Sequence, residues 1–149
     1  MLAGLGKLLI LALSLAAADS LHPIRVTVVI VFASTKAKEI DPKLKVLAKE
    51  MQKLDPTLIG FIIYDSQHKS LAIGGSHTFT LPEKLEMPVT VCKPKDKDGR
   101  VGMKIEPPGV GEISYTCLCD KFLPVLTPQV MSKGERLIVV VMVKPCPGK

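Results

Sequence analysis

Met87-Pro-Val-Thr-Val-Cys-Lys93 and Arg100-Val-Gly-Met-Lys-Ile-Glu106, joined by Pro94-Lys-Asp-Lys-Asp-Gly99, decide how the chain is read. Two short apolar segments meet at a charged connection, and its Asp98-Gly99 pair is expected to supply the positive φ angles of a tight hairpin turn. Similar pieces extend in both directions. Upstream, Leu58 to Tyr64 and Ser70 to Ile73 flank Asp65-Ser-Gln-His-Lys69, which reads as a second hairpin loop. Gly74-Gly75 breaks the chain before His77 to Leu81, where Phe79 and Leu81 share a face. Downstream, Pro107-Pro-Gly-Val-Gly111 punctuates, and Ile113 to Cys119, Phe122 to Thr127 and Leu137 to Val143 follow as strands. Ser132-Lys-Gly-Glu135 is the turn before the last of them.

The front of the chain differs. Ile24-Arg-Val-Thr-Val-Val-Ile-Val-Phe32 is rich in β-branched residues and reads as a central strand. A polar connection leads to Asp41-Pro42, an N-cap followed by a proline at the first helical position, where its missing N–H costs nothing. Leu44, Leu47, Ala48, Met51 and Leu54 then recur at helical spacing up to Asp55-Pro56. Eight or nine short strands with a single amphipathic helix (Pro42 to Leu54) after the first predict a mainly β, α+β architecture. The expected form is an antiparallel β-sandwich with the helix packed on it or across one end. A parallel α/β sheet would need a crossover helix between successive strands.

Residues 1–18 read as a secretory signal peptide. One lysine in Met1 to Lys7 precedes the apolar run Leu8-Leu-Ile-Leu-Ala-Leu-Ser-Leu-Ala16. Ala16 and Ala18 occupy the small-residue positions of an A-x-A site, which sets cleavage between Ala18 and Asp19. The run is shorter than the ~20 apolar residues a membrane span needs. The expected mature chain is residues 19–149, a single β-rich secreted or periplasmic domain with no membrane span. The full chain's net charge of +6 comes from 20 Lys plus Arg against 14 Asp plus Glu, scattered along the chain without Trp. That pattern argues against nucleic acid, whose readers cluster cations and interleave aromatics. A basic surface still attracts anionic envelope polymers or lipid headgroups. The expected partner is thus an unknown protein or an envelope polymer.

Four cysteines, Cys92, Cys117, Cys119 and Cys146, lie in the mature chain, and an even number in an exported protein reads first as two disulfides. On an extended strand Cys117 and Cys119 project from one face, so each is expected to reach a different partner, Cys92 or Cys146, in either assignment. The alternative makes Cys117-Leu-Cys119 a soft-metal site for copper or zinc, or a thiol redox pair. C-x-C lacks the spacing of the usual zinc pairs, and no helix start is at hand to lower a thiol pKa. No cofactor is expected.

Catalytic patterns do not assemble. Ser76, His77 and Asp65 make a triad on paper, but adjacent strand residues point to opposite faces and no G-x-S-x-G elbow occurs. His22 and His68 read as surface positions. Asp96 and Asp98 begin a calcium-loop pattern that would need Glu at 107 and finds Pro107. No phosphate loop or dinucleotide fingerprint is present. The sequence therefore points to a non-enzymatic binding or structural module acting in the envelope or outside the cell through loops or an edge strand. A hydrolase with dispersed residues is a further reading, since triads are defined by geometry.

The helix from Pro42 to Leu54, Phe79-Thr-Leu-Pro82, Phe122-Leu-Pro-Val125 and Leu137-Ile-Val-Val-Val-Met142 come in an order that resembles small exported bacterial β-rich domains of no assigned activity. The resemblance implies a β-rich fold and brings no functional residue with it.

Overall fold

The structure, a computed structural model, describes residues 22–145. The expected signal peptide, its cleavage point at Ala18 and Asp19, and Cys146 lie outside them. Chain order is β1 (Ile24–Ser34), α1 (Lys45–Leu54), β2 (Gly60–Leu71), β3 (Ser76–Thr80), β4 (Glu86–Lys93), β5 (Arg100–Ile105), β6 (Ile113–Leu118), β7 (Phe122–Val130) and β8 (Arg136–Pro145). The eight strands form two antiparallel four-stranded sheets, ordered β2-β1-β8-β7 and β3-β4-β5-β6, in a sandwich-like arrangement. The mainly β sandwich with one helix after the first strand is therefore present.

The first and last strands are the central pair of their sheet, in register from Ile24↔Pro145 to Ala33↔Arg136. Both are covered on two faces. Ile24, Val26, Val28 and Ile30 of β1, with Leu137, Val139, Val141 and Val143 of β8, pack between the sheets against Met87, Val89, Val91, Val101 and Met103. The opposite face carries Val31, Ala33, Ile138 and Val140, which lie under Leu44, Ala48 and Met51 of the helical segment. A strand buried on both sides has no polar face to alternate with, which explains the unbroken apolar runs of β1 and β8.

The helical segment starts as expected at Asp41, whose Oδ1 accepts the Lys43 N–H at 2.9 Å. Its first turn is tighter than the sequence indicated. Pro42–Leu44 form a single 3-10 turn, with Leu44 N–H donating to the Asp41 carbonyl at 2.8 Å, before α1 proper begins at Lys45. Leu54, placed by spacing on the buried stripe, is instead 65 % exposed at the helix end.

Two expected turns are corrected. Asp65 to Lys69 is not a hairpin loop: β2 runs unbroken for 12 residues, so eight strands form and not nine. The long β1 templates it from Ile30↔Asp65 to Ile24↔Leu71, and the extra residue is taken up by a bulge at Tyr64, between Asp65 and Ile63. The segment is polar because β2 is an edge strand, with most of its side chains in solvent. At the other turn only Gly99 takes a positive φ, 77°. Asp96 organises that loop: its Oδ1 accepts the Asp98 and Arg100 N–H groups, each at 2.9 Å, and its carbonyl accepts Gly99 N–H at 3.1 Å. This is a three-residue hairpin loop closed by a glycine bulge, which demands one left-handed residue and not two.

β7, the other edge of the first sheet, carries Pro124 and Pro128, which an edge tolerates because no partner needs their missing N–H. Among the described residues no helix is long and apolar enough to cross a membrane.

Candidate functional site

Strand alternation places the cysteines. Cys117 of β6 points into the space between the sheets, Leu118 points out, and Cys119, just past the strand end, packs half-buried against the same core. The two thiols thus share a face. Cys92 sits at an irregularity of β4, between Val91 and Lys93, and is exposed. Cys92, Cys117 and Cys119 form no disulfide with one another, so the expected bridge from Cys92 to Cys117 or Cys119 is not made among the described residues.

The surroundings of the pair keep it protonated. Burial pushes the Cys117 thiol up, the nearby Cys119 adds to the effect, and a hydrogen bond with the Val143 backbone opposes it. Burial likewise raises Cys119, against the pull of Lys95 and with reinforcement from Asp120 and Asp96. Tyr115, on the same face of β6, is raised first by burial and then by Cys117, and its hydroxyl donates to Met103 Sδ at 3.9 Å. Soft-metal binding and thiol exchange both use the thiolate, which this environment disfavours. Among the described residues no three His, Cys, Asp or Glu side chains are grouped to hold a metal ion.

The remaining polar candidates are engaged separately. Ser76 Oγ and Thr90 Oγ1 share a hydrogen bond at 2.7 Å, while His77 packs edge-on to Phe79 at 4.7 Å between ring centroids. Asp65 accepts the Ser66 N–H at 2.8 Å and a long bond from Gln67. His68 lies exposed within β2, not in a loop. Asp96 is committed to its turn.

What the fold does build is a groove on the helix side of the first sheet. α1 is only ten residues long and roofs part of that face. Where the roof stops, an open cavity of about 270 Å³ remains, walled by Val29, Leu44, Leu47, Ile63, Val140 and Phe122, with Lys43 and Ser66 at its polar edge. A second cleft of about 410 Å³ shares Lys43, Leu47 and Phe122 with the first and runs between helix and β7 to Val46, Pro124 and Lys121. Phe122 and Val46 stand at the mouth, 56 % and 79 % exposed.

Helical spacing gives Leu44, Leu47, Ala48 and Met51 one apolar face for packing on the sandwich and does not reveal this groove. Its only signal was a mismatch of lengths: apolar strands of 11 and 10 residues and a helix of ten, whose 1.5 Å rise makes it less than half as long. Comparison with protein-family profiles, curated proteins and solved structures found no match to this chain.

Proposed function

We propose that the protein is a non-enzymatic binding module, exported to the envelope or the extracellular space, whose binding element is the groove between α1, β7 and the outer face of the first sheet. One observation carries the reading. A cavity bounded by six apolar side chains, with a lysine and a serine at its rim, has the make-up of a small-molecule site: mostly apolar walls and a few polar groups that fix orientation. Exposed Phe122 and Val46 at its mouth leave apolar area in water that a ligand would cover.

The alternative use of Cys117 and Cys119, for a soft metal or for thiol redox chemistry, has less support because burial raises both thiols. The test is titration with a neutral solvatochromic dye, read by fluorescence, on the wild type and on Ser66→Trp. Ser66 is exposed on the edge strand, so a large side chain there fills the groove without entering the core. Saturable binding lost in Ser66→Trp, with an unchanged urea midpoint, is the expected result. Equal binding by both proteins removes the groove from consideration.

A further inference from the structure

We infer that the ligand of this groove is a single-chain anionic amphiphile, a fatty acid in chemical class, with its tail along Val29, Leu47, Ile63 and Val140 and its acid group held at Lys43 and Lys121. The inference rests on the groove reading above and adds the identity of the head and the number of tails.

Charge at the mouth selects the head. Lys43 borders both cavities and Lys121 the outer one. The ion pairs among the described residues use other lysines, Lys53 with Glu50, Lys104 with Glu112 and Lys144 with Asp120. Nearby carboxylates are occupied elsewhere. Glu50, the one acid bordering the outer cleft, faces Lys53 at 3.3 Å, and Asp120, next to Lys121, faces Lys144 at 3.7 Å. Asp41 accepts the Lys43 backbone N–H and caps the helical turn. Two ammonium groups are thus left at the open end of an apolar slot, an arrangement that matches an anion joined to a hydrocarbon.

Size selects the tail. The inner cavity, at about 270 Å³, falls just below the ~300–1,000 Å³ range of ligand sites, which suits one chain and not the paired chains of a bilayer lipid. The cleft toward Val46 and Phe122 extends the slot in one direction, as a linear chain needs. Lysine stems also line apolar surface while their charged ends stay in water, so Lys43 can border the tail and meet the head.

The experiment uses the purified protein and displacement of the neutral dye by saturated fatty acids of increasing length, each compared with the alcohol of the same length. Affinity should rise about fourfold per added methylene until the groove is full, then level off. The acid should bind up to about fivefold more tightly than the alcohol, the scale of a solvent-accessible ion pair, and lose that margin at high salt. Lys43→Met with Lys121→Met should erase the margin and leave alcohol binding in place. If alcohol and acid bind alike in the wild type, or the double variant keeps the acid's margin, the anionic head is wrong while the groove reading stands. If neither displaces the dye, the tail assignment falls. If the dye itself fails to bind, both readings fall together. Two further results would overturn the proposal: binding to anionic phospholipid vesicles that Ser66→Trp does not weaken, and a dimer by sedimentation that Phe122→Ser dissociates.

Discussion

Thr127 is the one buried polar side chain among the described residues, and its hydroxyl has two partners. It donates to the Leu137 carbonyl at 2.7 Å and accepts the Gln129 N–H at 3.2 Å, where β7 departs from register between Leu126 and Val130. Thr127→Val keeps the shape and deletes both bonds, so a loss of about 1–3 kcal/mol is expected from urea unfolding. Thr127→Ser, which keeps the hydroxyl, should recover most of it. Cys117 and Tyr115 make a second residue-scale prediction. Burial raises both, so the folded protein holds protons that the unfolded chain releases. Their contribution is complete below the ordinary thiol range and is lost as pH climbs from there toward the raised folded values. Urea midpoints should therefore fall between about pH 8 and about pH 11, and Cys117→Ala with Tyr115→Phe should flatten the fall. A slope unchanged in the double variant would assign the alkaline loss to other groups.

Among the elements, β2 shows how an edge hides a strand. Its inward contacts are few after Phe61, and Asp65-Ser-Gln-His-Lys69 offers composition that fits a loop as well as an edge; only pairing with β1 distinguishes them. The start of β2 is anchored more firmly. Phe61 N–H donates to the Glu39 carbonyl, and the Phe61 carbonyl accepts Asp41 N–H, both at 2.9 Å, drawing residues 39–41 alongside the strand. Gly60 permits this approach, because a Cβ there would collide with the Ala37 carbonyl oxygen. Gly60→Ala is expected to push that segment away and lower the melting temperature by several degrees, on the scale of about 1–3 kcal/mol for backbone displacement and overpacking. Asp41→Ala should cost about 1 kcal/mol through the lost cap, measured in the same melts. The cap, the proline, the central place of β1 and the need for a glycine at 99 are written in local chemistry and were legible in the sequence; the cover on both faces of β1 and β8 was not. The groove was not. It exists because residues far apart in the chain, Val29, Leu47, Phe122 and Val140, meet beside the first turns of the helical segment, and no local pattern encodes the length of a roof relative to its floor.

For the whole molecule, the chain just after Cys119 lies against the end of β8. Asp120 N–H donates to the Val143 carbonyl at 3.1 Å, and Lys144 Nζ is 3.7 Å from the Asp120 carboxylate. These contacts end two residues short of Cys146. A Cys119–Cys146 bridge, one of the pairings expected from sequence, would close a loop of about 28 residues and stabilise by about 3–4 kcal/mol in the chain-entropy model. Thiol counting in denaturant without reductant should then find two thiols, those of Cys92 and Cys117; four would exclude the bridge.

The pairing of β1 with β8 also bears on when folding can occur. The centre of the first sheet joins residues 24–33 to residues 136–145, so the interior stays open until residue 145 has been made. Removing β8 would leave β1 without its central neighbour and β7 with no partner at all, and an unfolded chain is expected. Pairings this distant along the chain also place refolding in the slow range, about milliseconds to seconds. Until residues 136–145 have been added, the apolar faces of β1 have no closed core to enter, so a chain stopped before β8 should be cut by protease along its whole length while the complete pairing resists.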